Sequence, residues 1–152
     1  MEAHKLIMTL LEQAVAFRTA FNQEILEGMT RYGFVKERLF KMQAGLIAEE
    51  SNEFLQACAD LEGAPNTPSN HTEVLKELSD VVFVCYQFAA TYGLDLDAAM
   101  DRVFESNMSK LGDDGKPIYR EDGKVLKGPN YKKPRLDDLV QLGQLPYDTS
   151  GK

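Results

Sequence analysis

Cysteine and histidine are scarce here, with two of each among 152 residues. Cys58 and Cys85 both fall inside apolar helical patterns, and two thiols do not make the disulfide framework of a small secreted domain. A reducing, cytoplasmic setting is therefore expected. With only His4 and His71, no Ser–His or Cys–His pairing is at hand to activate a covalent nucleophile. The di-iron centre of helical bundles is excluded too, because it needs Glu-x-x-His on two helices and neither histidine has a glutamate three residues before it. Long hydrophobic runs are also missing. The densest, Val81 to Tyr86, has six residues, against the roughly 20 that span a bilayer. Glu12, Gln13 and Arg18 interrupt the apolar residues near the N-terminus, and no small-residue cleavage site follows them, so a signal peptide is not expected. A basic excess is absent as well: the net charge is −7 and the isoelectric point about 4.9. That balance argues against a nucleic-acid binder that works by neutralising phosphates. No internal repeat or low-complexity segment occurs, and a soluble protein is expected.

What is present is an apolar fraction of 43%, enough for one core in a chain of this length. Ala3, Ile7, Leu10, Ala14, Phe17, Phe21 and Ile25 recur at spacings of three and four, which predicts a first helix over about 3–26. Gly28 and Gly33 bracket a break. A second helix is expected from near Val35 to just before Gly63, with Leu39, Gln43, Leu46, Ile47, Phe54, Ala57 and Leu61 on one side. The stretch 63–70 combines two prolines with turn formers and reads as a loop between antiparallel helices, so His71 or Thr72 should open the third. That helix carries Val74, Leu75, Leu78, Val81, Val82, Val84, Cys85, Phe88 and Ala89. It is apolar nearly all round, which implies cover on several sides. Gly93 stops it, and Asp95 can cap a fourth helix striped by Leu96, Met100, Val103 and Leu111. Beyond Gly112 the helical period is lost. Asp114-Gly115 and Asp122-Gly123 appear instead, the second flanked by Ile118-Tyr119 and Val125-Leu126, which predicts a small β-hairpin. The expectation is thus an all-α, four-helix domain over 1–136 with a hairpin extension, then a peripheral or flexible tail over 137–152.

The second helix holds the informative residue. At about 100° per residue, with Leu46 at zero, Glu50 lies near 40°, in the middle of the apolar stripe. Glu53 sits on the edge of that stripe and Glu49 beyond it towards solvent. A carboxylate facing a core costs several kcal/mol unless it is protonated, paired or bound to metal. On the next helix Glu77 and Asp80 share a face at i and i+3. Two antiparallel helices can therefore gather Glu50, Glu53, Glu77 and Asp80 around one point. All-oxygen ligation suits a hard cation, Mg²⁺ or Mn²⁺, which keeps positions open for water and phosphate oxygens. The plain alternative is a solvated acidic face, since 24 residues of the chain are acidic; a lone Glu-x-x-Glu usually is one. The core-facing position of Glu50 and the matching pair on the next helix shift the balance towards a metal.

The run Glu49-Glu-Ser-Asn-Glu53, followed after 23 residues by Glu77-Leu-Ser-Asp80, resembles the EExxE and ExxD motifs of MazG-like, all-α nucleotide pyrophosphohydrolases. Ser106-Asn-Met-Ser-Lys110 and the segment from Asp122 to Tyr131 extend the likeness over about residues 15 to 135. The resemblance implies Mg²⁺ (or Mn²⁺) held by Glu50, Glu53, Glu77 and Asp80. Glu49 is then left for an outer-shell contact or for orienting the attacking water, and Glu49 and Glu53 are the catalytic candidates. It also implies hydrolysis of a (deoxy)nucleoside triphosphate between the α and β phosphates, giving the monophosphate and pyrophosphate. The compact single-domain form resembles phage-type members, which inclines the base towards dGTP or GTP and, for a phage-encoded chain, the location to the host cytoplasm. Two rivals stand beside this reading: a phosphoribosyl-ATP pyrophosphohydrolase with the same metal site, and a non-catalytic helical partner or regulator.

Phosphate ligands should be cationic or amide side chains. Asn107 and Lys110 interrupt the apolar stripe of the fourth helix, while Gly123 to Arg135 holds five basic residues and no acidic one. Lys127 and Tyr131 are the best candidates there. Each has an ordinary alternative: a helix-ending residue for Asn107, a snorkelling surface lysine for Lys110, and a solvated charged loop for Lys127 and Tyr131. For the base, Phe17, Phe21 and Asn22 offer an aromatic surface beside an amide, although core packing is the simpler role for the phenylalanines. Relatives often carry a Phe-His pair where Phe17 is followed here by Arg18, and an arginine suits guanine-type acceptors. The apolar third helix, together with the resemblance, implies a homodimer or homotetramer.

Overall fold

The computed structural model describes residues 7–26 and 37–140. Four helices form: α1 over Leu10–Ala20, α2 over Glu37–Gly63, α3 over Pro68–Tyr92 and α4 over Leu96–Met108. The all-α class follows, with no strand among the described residues, and none of the helices is long and apolar enough to cross a membrane.

Helix α1 is shorter than its periodicity predicts. Thr9 Oγ1 accepts from the Glu12 amide at 3.2 Å and Glu12 Oε2 accepts from the Thr9 amide at 2.7 Å, a reciprocal box that sets the start at Leu10. At the other end Asn22 takes a left-handed φ of 52°, a conformation asparagine tolerates better than most residues. The chain then runs on without helix, and the Leu26 amide donates to the Thr91 carbonyl at 2.6 Å. Ile25 keeps the helical period without belonging to the helix. The break expected at Gly28 and Gly33 and the start near Val35 lie outside the described residues.

Only Ala64 to Thr67 separate α2 from α3. Helix α3 opens at Pro68, ahead of the expected His71 or Thr72. Proline lacks an amide proton, and the first helical position is where that loss matters least. Asn70 ties the connection down by donating to the Asp60 carbonyl at 3.2 Å. Gly93 ends α3 with φ 64°, a left-handed cap that other L-residues adopt at a cost. Asp95 then caps α4, its Oδ1 accepting from the Ala98 amide at 3.1 Å. The helix stops at Met108, so Leu111 falls beyond the stripe it was expected to complete.

By its contacts the chain divides into two compact units, the first built on α1 to α3 and the second on Asp95–Val140. In the first, α3 packs against both α1 and α2. Small residues at the facing surfaces, Ala14, Ala57, Ala89 and Ala90, are buried and let the helices approach closely. Aromatic rings fill one end: Phe88 lies 4.9 Å from Tyr92, and Phe40 lies 5.6 Å from Phe88. Leu75, Leu78, Val82 and Phe83 of α3 remain exposed.

In the second unit, the segment after α4 is held by hydrogen bonds more than by apolar packing. Ser106 Oγ donates to the Lys132 carbonyl at 2.8 Å, and the Lys132 amide donates to Ser109 Oγ at 2.9 Å. Arg102 forms a two-pronged pair with Asp138 at 2.5 and 2.8 Å. The Gly128 amide donates to the Lys110 carbonyl, and a Cβ at Gly128 would stand 2.6 Å from that oxygen, so only glycine fits without a shift. The predicted hairpin is not formed as a strand pair. Tyr119 and Val125 make a single antiparallel bridge around the Asp122-Gly123 turn. Both bridge residues, with Ile118 and Leu126, are exposed, and two short strands with no covered apolar face do not sustain a ladder.

Candidate metal centre

Glu50, Glu53 and Glu77 each bring a carboxylate oxygen to within 4.8 Å of the other two. Three of the four acids predicted to converge therefore do so, two from the middle of α2 and one from α3. Their burial follows the wheel: Glu50 is half-buried and Glu53 exposed on α2, while Glu77 on α3 is buried. Asp80 stands beside this group, half-buried one turn beyond Glu77. Glu49 is exposed, on the flank where the wheel puts it.

Asp80 joins through a lysine. Lys76 Nζ lies 2.8 Å from Glu77 Oε1 and 3.1 Å from Asp80 Oδ2. These bonds, first the one to Glu77, hold the ammonium proton more firmly than usual, and the same lysine is the main reason that the Glu77 carboxyl is held below its ordinary range. Glu73, whose carboxyl meets that of Glu77 and is pushed up by it, is a fifth acid here, so the one lysine leaves the cluster negative. The deficit shows at Glu50, whose carboxyl is pushed up first by burial and then by Glu53, Asp80 and Glu77. The second oxygens of Glu50 and Glu77 are buried without a hydrogen-bond partner among the described residues.

Those orphaned oxygens test the fit of a divalent cation. An octahedral Mg²⁺ binds oxygen at about 2.1 Å, so two of its ligand atoms stand at most about 4.2 Å apart. A spread of up to 4.8 Å needs only slight contraction of flexible glutamates to meet that. The donor set is all oxygen, as a hard cation requires. Glu50, Glu53 and Glu77 would hold such an ion directly; Asp80 falls outside that group and is paired with Lys76.

A cavity of about 340 Å³ lies among α1, α2 and α3. Phe17, Arg18 and Asn22, three of the four residues expected to meet a base, line it. Phe21 is outside the lining, 64% exposed and stacked on Phe17 at 4.4 Å. Phe17 also meets Phe83 edge-on at 5.1 Å. Arg18 is only 4% exposed; its Nε donates to the Glu24 carbonyl at 2.8 Å and its Nη1 to Gln87 Oε1 at 3.3 Å. Two guanidinium nitrogens are thus committed to the protein, a role the sequence reading of Arg18 did not include.

All four predicted phosphate ligands, Asn107, Lys110, Lys127 and Tyr131, belong to the second unit. The Asn107 carbonyl accepts from the Lys110 amide at 3.2 Å, and Asn107 is exposed. Lys127 Nζ sits 4.6 Å over the Tyr131 ring, a cation–π pair.

Sequence reasoning passed over two residues of this region. Lys76 precedes Glu77 and stands four residues before Asp80, an i,i+4 spacing that is visible in the sequence. Gln43 lay in the apolar stripe of α2 and was counted with it. It is 4% exposed and lines the cavity.

An all-α fold thus brings carboxylates from two neighbouring helices to one point. The chain belongs to the phosphoribosyl-ATP pyrophosphohydrolase family, whose description it matches over residues 15–107; the fold is that of the MazG-like, all-α nucleotide pyrophosphohydrolases. The matched stretch contains both acidic motifs, while Lys110, Lys127 and Tyr131 lie beyond it. Among curated proteins no relative matches the chain. Family membership implies a pyrophosphohydrolase.

Proposed function

We propose that the protein hydrolyses a nucleoside triphosphate at the α–β phosphoanhydride, with Mg²⁺ or Mn²⁺, to the monophosphate and pyrophosphate. The observation that carries this reading is the meeting of Glu50, Glu53 and Glu77 oxygens within 4.8 Å beside two orphaned carboxylate oxygens. When bound there, the cation supplies a more acidic water and offsets negative charge on the phosphate oxygens. Glu50, Glu53, Glu77 and Asp80 position it. Glu49, exposed and one turn before Glu53, is placed to take a proton from the attacking water or to orient it, and Glu53 shares that duty from the edge of the cluster. The cavity beside Phe17 and Asn22 receives the base. Leu46 is part of its wall, and Glu50 is one helical turn further along α2, so base and phosphates can lie along one helix. Asn107, Lys110, Lys127 and Tyr131 are the phosphate-binding candidates, as amide, ammonium and phenol donors outside the acidic cluster.

A second copy of the chain covers the exposed α3 face in this reading. A groove of about 400 Å³ lined by Leu10, Leu78, Val82 and Phe83, among others, supports that. The family description supports phosphoribosyl-ATP as substrate about equally well, with the same bond broken. The inclination to dGTP or GTP rests on the resemblance to phage-type members; Arg18, which would suit guanine-type acceptors, has both Nε and Nη1 engaged.

The test is a panel of the common dNTPs and NTPs with phosphoribosyl-ATP, each with Mg²⁺ and Mn²⁺, scored by product. Monophosphate plus pyrophosphate is expected, or phosphoribosyl-AMP plus pyrophosphate. Release of orthophosphate refutes α–β cleavage. Turnover that survives without divalent metal refutes the role of the acids.

A further inference from the structure

The α1–α3 cavity contains a hydrogen-bond chain whose direction can be worked out atom by atom. Thr91 is fully buried, and its hydroxyl donates to the Gln87 carbonyl at 2.8 Å. That uses the only proton Thr91 Oγ1 has, so towards Gln43 it acts as an acceptor. Gln43 Nε2 donates to it at 2.7 Å. With that proton on the Gln87 carbonyl, the assigned amide orientation of Gln43 has its nitrogen towards Thr91 and its oxygen away. Gln87 is satisfied as well, its Oε1 by Arg18 and its Nε2 by the Ala14 carbonyl at 3.5 Å. One atom of the chain is left over. Gln43 Oε1 is buried and has no partner among the described residues, on a residue that lines the cavity.

A buried acceptor without a donor costs roughly 1–3 kcal/mol, so a ligand that supplies the donor gains affinity there and one that cannot is penalised. Aromatic walls, Phe17 and Phe83, suit a flat ring. Gln43 stands seven residues before Glu50, about 10 Å along the helix axis, a separation that a pentose and one phosphate can bridge. We infer that Gln43 is a specificity-determining residue which favours a base bearing an exocyclic amino group over the analogue in which hydrogen replaces that group. This rests on the cavity being the base site of the proposed reaction, and it names the class of base read there.

The test uses neutral deoxynucleosides and the metal-free full chain, so that neither turnover nor charge at the acidic cluster enters the readout. Binding is measured by NMR titration for three pairs that differ only in the amino group: deoxyguanosine against deoxyinosine, deoxyadenosine against purine deoxyriboside, and deoxycytidine against the deoxyriboside of pyrimidin-2-one. In at least one pair the amino-bearing member binds roughly tenfold tighter. Gln43→Met, which keeps the volume and deletes the acceptor, brings that ratio to within about twofold. Gln43→Glu retains an acceptor and keeps the preference. Ratios near one for all three pairs in the natural chain overturn the inference, and so does a preference that survives Gln43→Met. The natural chain decides the first point even if the methionine variant does not fold. Binding of nucleosides with the predicted ratio, alongside no hydrolysis of any triphosphate, sinks the proposed activity while leaving the acceptor's role standing.

Discussion

Two polar groups of residues interrupt the α2–α3 seam about two helical turns apart, and they are resolved in different ways. Around Gln43, Thr91, Gln87 and Arg18 the groups are neutral or singly charged, and hydrogen bonds within the protein satisfy all but one acceptor. Around Glu50, Glu53, Glu77 and Asp80 the charge is of one sign, and a single lysine is the nearest compensation. Hydrogen bonds between side chains can close a neutral gap, because each donor finds an acceptor. They cannot cancel an excess of negative charge, which needs a cation from outside or a retained proton. The first region therefore reads as architecture with one open acceptor, and the second as a site.

The sharpest way to break this contrast is to remove a member from each side. Glu77→Gln keeps shape and deletes charge. Mn²⁺ affinity, followed by electron paramagnetic resonance, should fall at least about 100-fold, more than the loss of supporting residues around a metal typically causes. Hydrolysis should fall with it, as it should in Glu53→Gln. A variant that retains both would point to a non-catalytic helical protein with a solvated acidic face. Arg18→Met, on the other side, leaves Gln87 Oε1 and the Glu24 carbonyl without their donor. The expected cost is about 2 kcal/mol, a drop in Tm of roughly 4–8 °C, with Mn²⁺ affinity changed less than about twofold because no metal ligand is touched.

A smaller effect concerns pH. The Glu50 carboxyl is raised by burial, then by Glu53, Asp80 and Glu77. Its folded-state value lies above the unfolded one, so its protonated form favours folding. That contribution is full below the unfolded value and is lost as pH rises through the raised one. The metal-free protein should therefore lose stability as pH climbs from the ordinary carboxylate range towards neutral. Glu50→Gln should flatten that slope, leaving the part carried by Glu73, whose carboxyl is raised by Glu77, and raise the metal-free Tm near neutral pH, while abolishing the stabilisation that Mg²⁺ gives the natural chain. Thermal melts across pH, with and without Mg²⁺, check both statements.

Much of this was legible in the sequence, for reasons that differ by element. Helices α2 and α3 announce themselves through long apolar periods, and the convergence of Glu50 with Glu53 and Glu77 follows from arithmetic on a helical wheel. Helix α1 was overdrawn because Ile25 keeps the period by chance; the Thr9–Glu12 box and the left-handed Asn22 set its limits. Pro68 was read as a loop residue, although proline is as much at home in a first helical turn. The Asp-Gly turns were seen correctly as turns, but the strands beside them have no partner surface to cover them. Gln43 was hidden because position alone assigns it to the core. Only the pairing with Thr91, which lies 48 residues away, shows that its oxygen is left over. Lys76 was visible at i,i+4 to Asp80, yet its importance depends on Glu77 being buried, and that is a tertiary fact.

Lys76 also offers the finest probe of the contrast. With Nζ at 2.8 Å from Glu77 and 3.1 Å from Asp80, it occupies two carboxylates that a divalent ion would use. A cation of single charge, tethered and 58% exposed at its side chain, offsets part of the repulsion when metal is absent and must yield when metal arrives. Lys76→Met removes that competitor. Mn²⁺ should then bind a few-fold more tightly, since an exposed pair of this kind contributes on the order of 1 kcal/mol or less. The metal-free variant should melt slightly lower than the natural chain, because Glu77 and Asp80 lose the lysine that pairs with both. Isothermal titration with Mn²⁺ and a melt without metal read the two effects separately. Weaker binding in Lys76→Met would mean that the lysine organises Glu77 and Asp80 for the ion and does not compete with it, and the acidic side of the comparison would then be preorganised in the way the neutral side already is.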